Sequence, residues 1–412
     1  MKKVLVAGTA LMLAGTVAAQ AKPGVDEPGV NLSGDARVTY IGKQDYKRAA
    51  DSANGYDDFF ESRVGVNFDA LSKAQGVSAK ARLYFDGYGF EDDAPWNGEE
   101  RTEVSVDYAY LVAPLGDWTI KAGRVNLDYS KFFSWNIRPT RLLATYTHGD
   151  IKKPGSMSIT PFVGVKKEGS TSVDAWDDND FMEYGLVVKA KLQNAWNLAG
   201  YVRYDEDQRE KMNGIDIETG EPALLDNKDR SGAIADVFLN NDDAGCDFGF
   251  HAELGYKAAD VQGTEDDGIG GYVSLSTKAM SPQFTPTLLV GATKDGFVAD
   301  NDFGFVMVGG ELSTQVMKVG DGGDLLFGAL VANYKASDRL SLTGNLLYAD
   351  FDNDAPETLD SAVEVSGIID YALNESASLS YKAGYLTPSL TSGGGVAEDA
   401  YFAHLLRLNV NF

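Results

Sequence analysis

The amino-acid sequence predicts an all-β protein: a transmembrane antiparallel barrel of about 18 strands, with about 16 as the alternative. Three observations carry that expectation. Apolar and polar residues alternate with period 2 along most of the chain, Tyr and Trp gather near the ends of the alternating runs, and the connections between runs switch between short and long. Composition agrees, because 45 Gly, 12 Pro and one Cys in 412 residues fit neither a collagen nor a disulfide-stapled domain. A formal net charge of −25 argues against binding nucleic acid, whose phosphates need a basic surface.

The N-terminus sets the compartment. Lys2 and Lys3 precede an uncharged apolar stretch, 4–17, and then the small-residue run Ala18, Ala19, Gln20, Ala21. This is the pattern of a cleaved secretory signal peptide, 1–21, and its apolar core of about 14 residues is shorter than the ~20 that a spanning helix needs. The mature chain, 22–412, is expected to be a single barrel domain. Its lone Cys246 has no second cysteine with which to form an intrachain disulfide.

Strands follow from the alternation. In 31–40 the apolar or small set is Leu32, Gly34, Ala36, Val38 and Tyr40, against Asp35 and Arg37. In 60–68 Val64, Val66 and Phe68 oppose Glu61, Arg63 and Asn67, and in 77–85 Ala79, Ala81, Leu83 and Phe85 oppose Lys80, Arg82 and Tyr84. In 104–112 the outward set is Val104, Val106, Tyr108, Tyr110 and Val112. The pattern returns in 196–205 and 340–348 and closes the chain with Leu406, Leu408, Val410 and Phe412 against Arg407, Asn409 and Asn411. Strands are therefore expected near 32–40, 59–69, 77–87, 103–113, 118–125, 138–148, 157–167, 181–193, 196–205, 231–240, 246–257, 269–279, 284–294, 324–335, 339–350, 361–372, 377–387 and 400–412. The segment 303–316 is assigned to a long external loop.

One face of such a sheet suits hydrocarbon and the other suits water. Tyr40, Tyr108, Tyr110, Trp118, Trp196, Tyr204, Tyr348 and Tyr385 lie near strand ends on the apolar face, as in the aromatic girdles of membrane barrels. Tight connections at 114–117, 193–195, 336–338 and 374–376 alternate with long ones at 41–58, 88–102, 206–230, 294–323 and 351–360. In lipid, strands satisfy their backbone only by closing the sheet.

By parity, the inward cations of the earlier strands are Arg63, Lys80, Arg82, Lys121, Arg141, Lys166, Lys189, Lys191 and Arg203. The later strands offer Asp236, Glu253, Glu364 and Asp370, with Lys278, Lys382 and Arg407 as their chief cations. A basic wall facing a more acidic one sets a transverse field across a water-filled path, which biases ion flux. The plainer reading is that these charges pair with their neighbours.

Carboxylate clusters in the expected external loops, such as Asp57-Asp58, Asp242-Asp243 and 350–354, should attract divalent cations. Asp350, Asp352 and Asp354 have the spacing of a calcium-loop start, but Ala355 stands where the turn needs Gly and no Glu closes the loop, so no metal site is expected. No cofactor fingerprint is present and no catalytic residue is assigned. His251 and Glu253 share a face, but no Ser in an elbow context accompanies them, and enzyme activity is not expected.

The stretch 108–124, YAYLVAPLGDWTIKAGR, resembles the strand, tight turn, strand and Gly-Arg ending that precede the third loop of Gram-negative porins. The hairpins 325–348 and 363–386 and the strand ending in Phe412 are similar to the C-terminal half of proteobacterial porins and alginate-export-like barrels. The resemblance implies an outer-membrane channel for passive diffusion of small hydrophilic solutes and ions, embedded in lipid and lipopolysaccharide, with monomer and homotrimer both open. It also implies that the terminal strand, Leu406, Leu408, Val410 and Phe412, is read by the outer-membrane assembly machinery, and that the loop 126–137 folds into the pore or stays outside as an aromatic loop. His404 departs from the pattern by standing on the outward face. The alternative functions are a barrel adhesin or structural protein with a plugged lumen, and a barrel hydrolase.

Overall fold

Eighteen strands hydrogen-bond edge to edge in one antiparallel sheet in the computed structural model, and the sheet closes on itself. The model describes all residues except 1–28, 45–55, 72–75, 89–101, 128–129, 131–138, 152, 168–180, 193–195, 208–210, 216–221, 227–230, 242–246, 263–265, 300–304, 309, 313–322, 353–358 and 391–399. The strands are β1 (Gly29–Gln44), β2 (Tyr56–Leu71), β3 (Ser78–Tyr88), β4 (Thr102–Leu115), β5 (Trp118–Arg124), β6 (Thr140–His148), β7 (Ser156–Lys167), β8 (Phe181–Lys191) and β9 (Asn197–Asp207). A small hairpin follows, β10 (Lys211–Ile215) with β11 (Pro222–Asp226), outside the main sheet. The barrel resumes with β12 (Gly232–Asn240), β13 (Phe248–Lys257), β14 (Gly268–Thr277), β15 (Phe284–Lys294), β16 (Asp324–Lys335), β17 (Leu340–Asp352), β18 (Leu359–Ala372), β19 (Ala377–Leu390) and β20 (Tyr401–Asn411). All eighteen main-sheet strands coincide with the expected segments. Asp352, expected in the connection 351–360, ends β17 instead, one strand position beyond Phe351.

Closure is made by the first and last strands. β1 pairs with β20 from Asp35 opposite Asn411 to Gln44 opposite Phe402, and Gly34 and Phe412 exchange backbone bonds of 2.7 and 2.9 Å. No ladder edge is left open there, which removes the template for edge-to-edge association.

Side-chain alternation then sorts the two surfaces. Along β9, Ala199, Tyr201, Arg203 and Asp205 are buried while Leu198, Val202 and Tyr204 are exposed. The exposed set continues around the outside with Val104, Leu186, Leu254, Leu288, Leu330 and Val365. In a water-soluble protein this much exposed aliphatic surface would be an aggregation liability; in a bilayer it is the solvated face.

A bulge corrects one reading of the sequence. The β3–β4 register shifts between Arg82 and Leu83, with Arg82 opposite Tyr108 and Leu83 opposite Val106, so Asp107 is the extra residue. One extra residue reverses which face each later side chain takes. Val104 and Val106 stay outside, but Leu111 is 56% exposed, and Tyr108 and Tyr110 turn inward, where Tyr108 donates to Asn67 Oδ1 at 3.2 Å. These two tyrosines leave the outer girdle for the inner wall.

Candidate functional site

The inner wall is divided by two chain segments that fold back against it. After β5, Val125 is 1% exposed and Leu127 packs on a cluster of Leu143, Phe162, Val187, Ala199, Tyr201 and Ile234. The described part of the loop 126–137 therefore lies inside; residues 128–129 and 131–137 are outside the description. The second segment overturns an expectation. The sequence puts 303–316 in a long external loop, yet of its described residues Phe305, Val306, Met307, Val308 and Leu312 are 0–5% exposed. Together with Phe297 and Ala299 they pack on Leu325, Phe327, Ala329, Leu347, Ala349 and Leu405 of β16, β17 and β20.

The reason is written in those strands. The inward positions Leu325, Phe327, Ala329, Leu347 and Ala349 are as apolar as the outward Leu326, Leu330, Leu346 and Tyr348, so this wall is apolar on both faces and needs a cover. Continuous apolar runs were the available signal, with the apolar stretch Phe305–Val308 as the matching half.

Glu364 fixes the cover. Its carboxylate is fully buried and accepts N–H bonds from Val306 (2.9 Å), Met307 (3.0 Å) and Val308 (2.7 Å). Consecutive amides converging on one carboxylate form a compact anion nest. Gly384 of β19 completes the seat, because a Cβ there would lie 2.5 Å from Met307 Cγ. Glu364 thus anchors a loop rather than lining an open acidic wall.

The tip of the same loop reaches across to the barrel seam. Glu311 is bridged by the Arg407 guanidinium, one bond being 3.2 Å, and by Lys382 Nζ at 2.9 Å. Burial alone would raise the Glu311 carboxyl, but the Arg407 hydrogen bond and the Lys382 and Arg407 charges outweigh it and hold it at about 2.

The predicted basic residues fall into two groups. Arg63 pairs with Asp86 (3.2 Å for one bond) and Arg82 with Asp35, with Asp107 4.0 Å away, while Lys80 lies 3.5 Å from Asp69. These side chains remain open to solvent at 28%, 25% and 42% for Arg63, Arg82 and Lys80. The guanidiniums of Arg63 and Arg82 both lie over the Tyr84 ring, and Lys121 lies 5.8 Å from the Tyr110 centroid.

Arg141 and Arg203 are closed in. Arg141 forks onto Glu183, and Arg203 bonds Asp205 at 3.0 Å and approaches Glu183 at 3.9 Å, with side-chain exposures of 1% and 5%. Gly164 makes room for the pair, since a Cβ there would stand 2.6 Å from Glu183 Oε1. Arg141 also donates to Val125 O at 3.4 Å, which ties the cluster to the first inward segment.

The remaining sites are more dispersed. Lys189 and Lys191 share the inward parity of Glu183 on β8 and are half-buried. Lys166 is the extra residue of a β7–β8 bulge between Val165 and Lys167, and its side chain lies outside the description. Asp236 and Glu253 are buried on the inward faces of β12 and β13. Asp370 stands apart from them near the short turns that follow β16 and β18, where it borders a cavity of about 660 Å³ with Asn333, Lys335, Arg339 and Thr343. Leu406, Leu408 and Val410 face outward on β20, as does His404, whose ring sits 5.6–6.0 Å from those of Tyr40, Tyr381 and Phe402.

Parity within single strands could not show that the seam is basic. Arg37 on β1 sits opposite Arg63, and Arg407 on β20 donates to Thr39 Oγ1 of β1 at 3.0 Å. Arg407 and Lys382, counted from the sequence as stray cations of an acidic half, therefore continue the row of Arg82, Arg63 and Arg37.

No protein-family model matches the sequence, and no curated protein does. Among solved structures, the OccK11 (OpdR) protein of Pseudomonas aeruginosa is similar over 95% of this chain and 99% of that one, at 10% identity and a TM-score of 0.58. A BenF-like porin from Pseudomonas fluorescens is similar over 93% of this chain and 98% of that one, at 9% identity and a TM-score of 0.58. This is the porin fold. At such identity the likeness extends to the fold alone, and the porin-fold barrel must be read for function from its own interior. Among the described residues, no group of three or more His, Cys, Asp or Glu side chains is placed to hold a metal ion.

Proposed function

We propose that this protein is an outer-membrane porin, a water-filled channel for passive diffusion of small hydrophilic solutes and ions. The observation that carries the reading is the graded wetness of the inward charges. Arg63, Arg82, Lys80 and Glu311 keep 25–42% of their side-chain surface open to solvent inside a barrel whose outer face is aliphatic, while Arg141, Glu183 and Arg203 keep 0–5%. The path runs between the two inward segments, along the wall of β1–β4, β19 and β20. The second group is a buttress for the segment after β5.

Localisation follows from the same reading. Residues 1–21 are a signal peptide removed during export, and the mature barrel is inserted through its terminal strand by the outer-membrane assembly machinery. Lipopolysaccharide and lipid cover the aliphatic face, and assembly as a homotrimer is compatible with it. Because loop segments cover two stretches of the inner wall, a plugged structural barrel is the competing reading. Planar-bilayer recording of the purified protein in a salt gradient separates the two: stepwise ohmic conductance with a measurable reversal potential supports the porin, and silent insertion supports the plugged barrel.

A further inference from the structure

We propose that Arg407 and Lys382 form a preformed oxyanion site whose resident occupant, the Glu311 carboxylate, is a tethered competitor that a passing solute displaces. The inference deepens the porin reading and rests on it, since the solute must reach the site through the lumen.

The host is built without its occupant. Arg407 Nε donates to Thr39 Oγ1 at 3.0 Å, and Thr39 is fully buried on the neighbouring strand, so the guanidinium fork is oriented whether or not Glu311 is present. The fork leaves Nη1 and Nη2 facing the lumen, with Lys382 Nζ beside them on β19. This geometry suits two oxygens of one anion, which a monatomic ion cannot supply. Arg37 and Arg63 stand along the same row and add positive potential.

The occupant is held by a different part of the loop. Glu364 and the apolar cluster grip residues 305–308 and 312, while the Glu311 side chain remains 32% exposed at the tip. Its carboxylate can therefore swing out while the loop stays seated. Glu311 stays ionised at neutral pH, so only another anion replaces its charge on the site. Small oxyanions with at least two free oxygens, of the phosphate or carboxylate type, are the matching class.

The test uses inorganic phosphate and the full barrel in a phosphorus-free maltoside detergent. Phosphorus NMR line broadening reads phosphate binding whether or not the barrel conducts, so a silent barrel that still binds would sink the porin reading, and with it the passing solute, while the Arg407–Lys382 site with Glu311 as its competitor stands. Glu311→Gln should tighten phosphate on the order of tenfold, the effect of removing one charge-assisted competitor. Lys382→Gln and Arg407→Gln in the Glu311→Gln background should each reverse that gain. A chloride titration should compete poorly at equal ionic strength. Equal phosphate broadening in the wild type and Glu311→Gln, or a gain that survives loss of Lys382, overturns the proposal. Lys382→Gln leaves the Arg407–Thr39 bond in place and keeps the test valid if the Arg407 variant fails to fold.

Discussion

Replacing Glu364 by Gln keeps the shape of the side chain and removes its charge, which makes it the sharpest probe of the inserted loop. In the wild type Oε1 accepts from Val306 and Oε2 from both Met307 and Val308. An amide oriented to keep the double acceptor presents its NH2 to the Val306 N–H. One hydrogen bond is lost, two lose their ionic assistance, and two donors face each other in a buried site, a cost of about 2–4 kcal/mol. The rest of the seat is close to balance. Burying Phe305, Val306, Met307, Val308 and Leu312 contributes on the order of 8–15 kcal/mol, and ordering the seven described residues 305–308 and 310–312 costs on the order of 7–14 kcal/mol. The carboxylate therefore decides whether the loop stays down.

A loss of about 2–4 kcal/mol raises the open-to-seated ratio roughly 30- to 700-fold. Amide hydrogen exchange of the barrel in detergent reads it directly: residues 306–308 should lose protection by that factor while β17 and β18 keep theirs, because their ladder bonds are untouched. Single-channel conductance should rise as the loop leaves the lumen. Protection of 306–308 that is unchanged in Glu364→Gln would refute the view that this carboxylate holds the loop.

Four further outcomes are expected. Arg82→Ala should move the reversal potential toward cations, because Arg82 is 25% exposed on the path; Arg141→Ala should leave selectivity in place and lower barrel stability by about 3–5 kcal/mol by stranding the buried Glu183, which thermal unfolding would show. Deleting Phe412 should lower outer-membrane yield, measured by immunoblot of membrane fractions, since it removes the backbone exchange with Gly34 that closes the last rung. The Glu311 carboxyl lies at about 2 against an ordinary 4.5, so its contribution to docking the loop tip is complete above about pH 4.5 and is lost as pH falls through about 2. Exchange protection at residues 310–312 should be flat from neutral pH down to about 4.5 and decline below it.

The strands were legible because a membrane barrel writes itself in a period of two. Each run that passes from water-facing to lipid-facing residues at every second position fixes one strand by itself, and the parity of Arg63, Arg82, Arg141, Arg203, Asp236 and Glu253 followed from their own strands. Where the register carries an extra residue, as at Asp107, that local rule fails, and Tyr108 and Tyr110 changed sides. A bulge is a property of a pair of strands and is not visible in either one alone.

What the tertiary structure decided is which inward charges meet water and which meet one another. Closure places β1 beside β20, so Arg37 and Arg407, 370 positions apart, share one wall. Loop insertion turns Glu364 from a lumen charge into an anchor and brings Glu311 to Lys382 and Arg407. Both outcomes are long-range: sequence alternation reports the solvent a strand faces, whereas loop seating depends on matching a distant apolar wall with an apolar loop and a buried carboxylate with three free amides.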